Sequence, residues 1–124
     1  MNKKKKPYKH SPFDEEFFDA MILFNKDNPT KEQFSLADAR ILSLIHSYDF
    51  TNTLFFASNN YLAEKVCATP ATAQKSINKL YSYGLIDKKV HCVNGKKQRV
   101  LTYNEPGVDA FKNNPKNAKK KEKS

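Results

Sequence analysis

The sequence predicts a mainly α-helical domain with a small β-sheet, and three stretches carry that prediction. Thr69-Pro70 opens a helix, because a hydroxyl side chain caps the first free amides and the proline ring already holds a helical φ. Ala73, Ile77, Leu80 and Gly84 then recur at helical spacing and mark an inward face. Ala71, Lys75, Asn78 and Ser82 lie opposite, with Thr72, Gln74 and Lys79 on the flanks. A shorter helix, Asn59 to Val66, precedes it across the tight turn Cys67-Ala68. After Gly84, a left-handed helix stop, Ile86 to Val93 and Lys97 or Gln98 to Tyr103 read as strands around Asn94-Gly95, the pair that a two-residue hairpin demands.

The remaining elements follow in chain order. Residues 1–10 form a basic arm, expected to be disordered and to track phosphates without reading sequence. Ser11-Pro12-Phe13-Asp14 resembles a capped helix start, with Asp14 at the third position reaching back, and the helix should run to Phe24 or Asn25. Its acids at Asp14, Glu15, Glu16 and Asp19 suit the positive end of the helix dipole. Phe13, Phe17, Phe18, Met21 and Phe24 give this extra N-terminal helix more apolar surface than a small domain easily covers. They are the expected interface of a homodimer. A polar loop from Lys26 to Gln33 contains Pro29, and Ser35 caps a helix from Leu36 to Ser47 or Tyr48. His46 near its end reads as a dipole partner or surface residue. Leu54 to Ala57 is expected to be the first strand of a three-stranded sheet, and Ser58 caps the Asn59–Val66 helix. Beyond the hairpin, Pro106-Gly107 should end the sheet and Val108 to Lys112 add one helical turn, with Phe111 packing back. The expected organisation is a basic arm over 1–10, one domain over 11–112 and a disordered basic tail over 113–124.

Charge gives this organisation a direction. The net charge is +9 over 124 residues. Residues 1–9 hold five Lys and no acid, and residues 113–124 hold five Lys and one Glu, so the tails account for the whole excess. Within the neutral middle, residues 10–64 carry three bases and nine acids, whereas residues 65–99 carry eight bases and one acid. A domain basic over the second helix of the pair and the hairpin suits a protein that turns one face to a polyanion. The chain has no apolar run of membrane-spanning length and no apolar stretch placed for a secretory signal, so a cytoplasmic location is expected. Cys67 and Cys92 sit among apolar neighbours and are expected to be buried thiols. No close-spaced His/Cys pair suggests a metal, and neither cofactor nor small-molecule substrate is expected. With three glycines and no Ser-His-Asp order, acidic cluster or phosphate-cradling loop, the chain is not expected to be an enzyme.

The order helix, strand, helix, turn, helix, strand, turn, strand resembles the winged helix-turn-helix fold. More narrowly, Phe56-Ala57-Ser58-Asn59-Asn60-Tyr61-Leu62-Ala63-Glu64-Lys65, with Thr69 to Gln74, Ile77, Leu80 and Gly84-Leu85-Ile86, resembles the N-terminal domain of Gram-positive phage and plasmid replication initiators and related regulators. The resemblance spans about Phe34 to Asn104 and implies binding to short double-stranded DNA repeats. Those initiators usually continue into a further domain, and Cys67-Ala68 stands where they carry a Gly-Val type of turn.

On this reading Thr72, Gln74, Lys75 and Asn78 reach base edges in the major groove. Gln and Asn suit adenine and Lys suits guanine. Ser58, Asn60, Lys65, Thr69 and Lys79 would hold phosphates, joined by Lys96, Lys97 and Arg99 on the wing. The expected role is transcription regulation, or plasmid or phage replication or transfer. The competing reading is a non-enzymatic protein-interaction module built on the same fold, with the aromatic N-terminal helix as its working surface.

Overall fold

The computed structural model describes residues 14–50 and 58–120. In chain order it contains α1 (Glu15–Asp27), α2 (Leu36–Phe50), α3 (Asn59–Val66), α4 (Pro70–Ser82), strands β1 (Ile86–Val93) and β2 (Lys96–Tyr103), α5 (Glu105–Asn113) and a 3-10 turn, Pro115–Asn117. Helix, helix, turn, helix and hairpin make a winged helix-turn-helix. The expected arm over 1–10, the expected strand Leu54 to Ala57, and Phe13 lie outside the described residues.

The helix ends follow the capping chemistry of the sequence. Ser58 Oγ accepts from the Tyr61 amide at 3.1 Å and Thr69 Oγ1 from the Thr72 amide at 3.1 Å, so α3 and α4 each begin on a hydroxyl cap. α3 ends with Cys67 in the left-handed region at φ 57° and the Ala68 amide donating back to the Ala63 carbonyl at 2.8 Å. α4 ends the same way, with Gly84 at φ 76° and the Leu85 amide on the Leu80 carbonyl at 2.9 Å. Both are Schellman-type stops. β1 and β2 pair antiparallel from Ile86↔Tyr103 to Val93↔Lys96. Asn94 and Gly95 have positive φ (53° and 79°), as a type I′ turn requires. Asp14, expected inside the first turn of α1, is instead its N-cap and accepts from the Phe17 amide at 3.0 Å.

Two faces behave differently from the sequence expectation. The first is α1. Phe17, Met21 and Phe24 are 1%, 2% and 0% exposed, and Phe18 is half-buried against the same core. Phe34 sits among the rings of Phe17, Phe24, Tyr83 and Phe111 with centroids 5.1–6.5 Å apart. The face expected to meet a second copy is therefore satisfied within the chain, because the 26–33 loop folds Phe34 over it and α5 brings Phe111. Ile22 and Leu23 are the large apolar residues of α1 that remain exposed.

The second is the C-terminal segment. The expected sheet terminator Pro106-Gly107 lies in the first turn of α5, where a missing N–H costs no helical hydrogen bond. Gly107 is needed there, since a Cβ would overlap the Gly84 carbonyl oxygen. Asn104 Nδ2 donates to that same carbonyl at 2.7 Å, and Lys112 Nζ meets Asp14 Oδ2 at 2.7 Å. Burial alone would lower the Lys112 ammonium's pKa, but the bond to Asp14 and the charges of Asp14, Glu16 and Asp109 outweigh it and raise it. The tail expected to be disordered from Asn113 is ordered at its start: Pro115 is buried, and Asn28 Nδ2 donates to the Lys116 carbonyl at 3.2 Å. A proline ring supplies apolar surface that a search for residues larger than alanine passes over. Cys67 and Cys92, expected to be buried, are both exposed.

Candidate nucleic-acid interface

α4 is divided lengthwise. Ala73, Ile77 and Leu80 are fully buried, while Ala71, Thr72, Lys75 and Asn78 are exposed. With each residue advancing about 100°, the exposed set forms one stripe on the side away from the core. α3 crosses behind α4 with Leu62 and Ala63 buried against it. α2 meets α3 and the hairpin: Tyr48 Oη lies 3.3 Å from Tyr61 Oη, and His46 stacks on Tyr103 of β2 at 3.9 Å and 11°. The hydrogen bond to Tyr61, with burial, raises the Tyr48 phenol above its ordinary range.

The expected base-reading residues differ in how firmly neighbouring side chains hold them. Thr72 and Lys75 stand exposed on the stripe. Gln74 is half-buried and held at both ends of its amide: its Oε1 accepts from Asn59 Nδ2 at 2.7 Å, and its Nε2 donates to Asn78 Oδ1 at 2.9 Å. Asn59 in turn accepts from Arg99 Nη2 at 3.0 Å. Burial lowers the Arg99 guanidinium's pKa from its ordinary value.

The expected phosphate-holding set is partly reassigned. Ser58, Asn60, Lys65, Lys96 and Lys97 are exposed around α3 and the hairpin tip, with Lys65 Nζ 5.4 Å above the Tyr61 ring. Thr69 is exposed, but its hydroxyl accepts from the Thr72 amide and donates to Thr72 Oγ1 at 3.0 Å, so its hydrogen-bonding capacity is used locally. Lys79 is not a surface cation. It is 9% exposed and donates to Asp38 Oδ2 and to the Gln33 carbonyl, each at 2.7 Å. The flank of α4 that carries it turns toward the loop before α2, and Asp38, which also accepts from the Ser35 amide at 2.7 Å, draws the ammonium inward. Arg99 faces α3 rather than solvent, for the reason given by its bond to Asn59.

Sequence reasoning missed Asn59 as a functional residue. Its partners lie 15 and 40 residues away, so no local spacing signals it. Lys88 and Lys89 add two cations to the hairpin. Both are exposed on β1, and Lys88 Nζ sits 4.4 Å over the ring of Tyr81 near the end of α4. Among the described residues no group of His, Cys, Asp or Glu is arranged to hold a metal ion, and no helix is long and apolar enough to cross a membrane.

Comparison with known families places residues 33–86 on a family model described as a helix-turn-helix domain. The matched span runs from the residue before Phe34 through α2, α3 and α4 to the first residue of β1, and so covers the helical part of the interface. No curated protein and no solved structure matches the chain.

Proposed function

We propose that this protein binds double-stranded DNA sequence-specifically, with α4 in the major groove and the β1–β2 hairpin against the phosphate backbone as a wing. The observation that carries the reading is the exposed polar stripe of Thr72, Lys75 and Asn78 on a helix whose other side is fully buried. The helix-turn-helix match over 33–86 supports it, as do the exposed lysines at 65, 88, 89, 96 and 97 on α3 and the hairpin. The geometry suits docking in which the N-terminal part of the second helix meets base edges and the flanking cations meet phosphates. Binding, not catalysis, is the activity proposed. The biological role is transcription regulation, or plasmid or phage replication or transfer, as the resemblance to replication initiators implies. The homodimer loses the argument made for it, since Phe17, Met21 and Phe24 lie in the chain's own core.

The test is titration of a duplex selected from a random pool and of unselected duplex, at two salt concentrations. Lys75→Ala should leave the melting temperature within the roughly ±0.5 kcal/mol of a surface change. It should reduce preference for the selected duplex by about 1–3 kcal/mol. Lys96→Ala should weaken both duplexes by similar factors and flatten the salt slope by about one phosphate contact. Equal binding of selected and random duplex by the wild-type protein would end this reading.

A further inference from the structure

We propose that the hydrogen-bonded relay Arg99–Asn59–Gln74–Asn78 decides which base edge α4 reads, by holding Asn78 with its amide NH2 outward and so favouring an acceptor-bearing base over a donor-bearing one. The proposal rests on the DNA-binding reading above and deepens it. Three bonds make the relay: Arg99 Nη2 to Asn59 Oδ1 at 3.0 Å, Asn59 Nδ2 to Gln74 Oε1 at 2.7 Å, and Gln74 Nε2 to Asn78 Oδ1 at 2.9 Å. It joins the wing, the start of α3 and the exposed stripe of α4.

The direction of every bond follows from one end. A guanidinium carries only donors, so the Asn59 amide must turn its oxygen toward Arg99. Its nitrogen then faces Gln74, which must present oxygen. Gln74 nitrogen then faces Asn78, which must also present oxygen. Turning any one amide over would set oxygen against oxygen, NH2 against NH2 or NH2 against a cation. Arg99, Asn59 and Gln74 are half-buried, which makes such a mismatch more costly than in water. Asn78 is exposed, and with Oδ1 turned toward Gln74 it directs its Nδ2 hydrogens away from that bond, toward a partner. In the major groove guanine (N7 and O6) and thymine (O4) offer acceptors to such a donor, whereas cytosine presents the N4 hydrogens and adenine sets N6 hydrogens beside its N7 acceptor. Gln74, engaged at both ends of its amide, acts as a positioning residue and not as an independent reader.

Two substitutions reverse the relay without removing a side chain. In Asn59→Asp the carboxylate still accepts from Arg99, but it has no hydrogen for Gln74. The Gln74 amide must turn its nitrogen to Asp and its oxygen to Asn78, and Asn78 then turns its own oxygen outward. Gln74→Glu reaches the same end one step later, accepting from both asparagines. The experiment measures binding to four duplexes that differ only at the base pair where Asn78→Ala loses preference, with melting curves for every variant. Wild-type protein should prefer guanine or thymine there over cytosine by about tenfold. Asn59→Asp and Gln74→Glu should both move the preference to a donor-bearing base at that position and nowhere else. Arg99→Met should flatten it. Folded Asn59→Asp and Gln74→Glu proteins that keep the wild-type preference overturn the relay while leaving the DNA-binding reading intact. A wild-type protein that discriminates no duplex overturns both.

Discussion

Two halves of this small domain are held together by different physics. Around Phe34, helices α1 and α5 meet through rings: Phe17, Phe24, Tyr83 and Phe111 crowd one another at centroid distances of 5.1–6.5 Å from that residue. Around Asn59, the wing and α4 meet through amides and a guanidinium in a chain of three hydrogen bonds. Apolar packing is non-directional and tolerates no water, so the first half is suited to stability. Hydrogen bonds carry a donor-to-acceptor direction, so the second half is suited to reading another molecule. The buried pair Lys79–Asp38 sits at the boundary, joining α4 to the start of α2. Its charges are used inside the protein and are withheld from DNA.

The largest effect expected from breaking this division is in the aromatic half. Phe34→Ala removes the ring on which four others converge, and should cost about 3–5 kcal/mol of stability. Thermal or urea unfolding measures it. Whatever protein remains folded should keep its preference between selected and random duplex, since no stripe residue is touched. A variant of normal stability with altered sequence preference would show that the halves are not separable in this way.

At the boundary, Lys79→Ala leaves the Asp38 carboxylate buried without its cation, and should destabilise by about 3–5 kcal/mol. The salt slope of DNA binding by the folded variant should match wild type, because Lys79 releases no counterion from DNA. A stability loss near zero, with a slope reduced by one contact, would return Lys79 to the phosphate-binding set.

The smallest effect sharpens the comparison within the reading half. The stops of α3 and α4 share one hydrogen-bond pattern, but α3 places a cysteine at φ 57° where α4 places a glycine at φ 76°. A side chain in the left-handed region costs roughly 1–2 kcal/mol. Cys67→Gly should recover about 1 kcal/mol of this, the greater freedom of glycine in the unfolded chain offsetting part. Calorimetry should record a higher melting temperature with DNA preference unchanged.

Much of this architecture is legible in the sequence. Hydroxyl residues ahead of an apolar period, a proline at a helix start and Asn-Gly between alternating strands act over a few residues. Their consequences, the bounds of α3 and the caps of α4, therefore follow from local chemistry. The exposed stripe of Thr72, Lys75 and Asn78 is likewise a matter of helical period. Other features belong to the tertiary structure because they depend on what lies opposite. Periodicity identified Phe17, Met21 and Phe24 as one apolar face, but only the fold back of Phe34 and Phe111 decided that the chain itself covers it. Lys79 and Lys75 are the same residue type on the same helix. The 100° advance per residue places one on a flank and the other on the stripe, yet a flank is neither inside nor outside until a neighbour with the right charge arrives. That neighbour is Asp38, 41 residues earlier. Asn59 carried no local signal at all, because its role consists of bonds to two distant elements. Short-range sterics and capping set the elements; long-range packing and charge pairing decided which of their polar side chains support the fold and which remain for a partner.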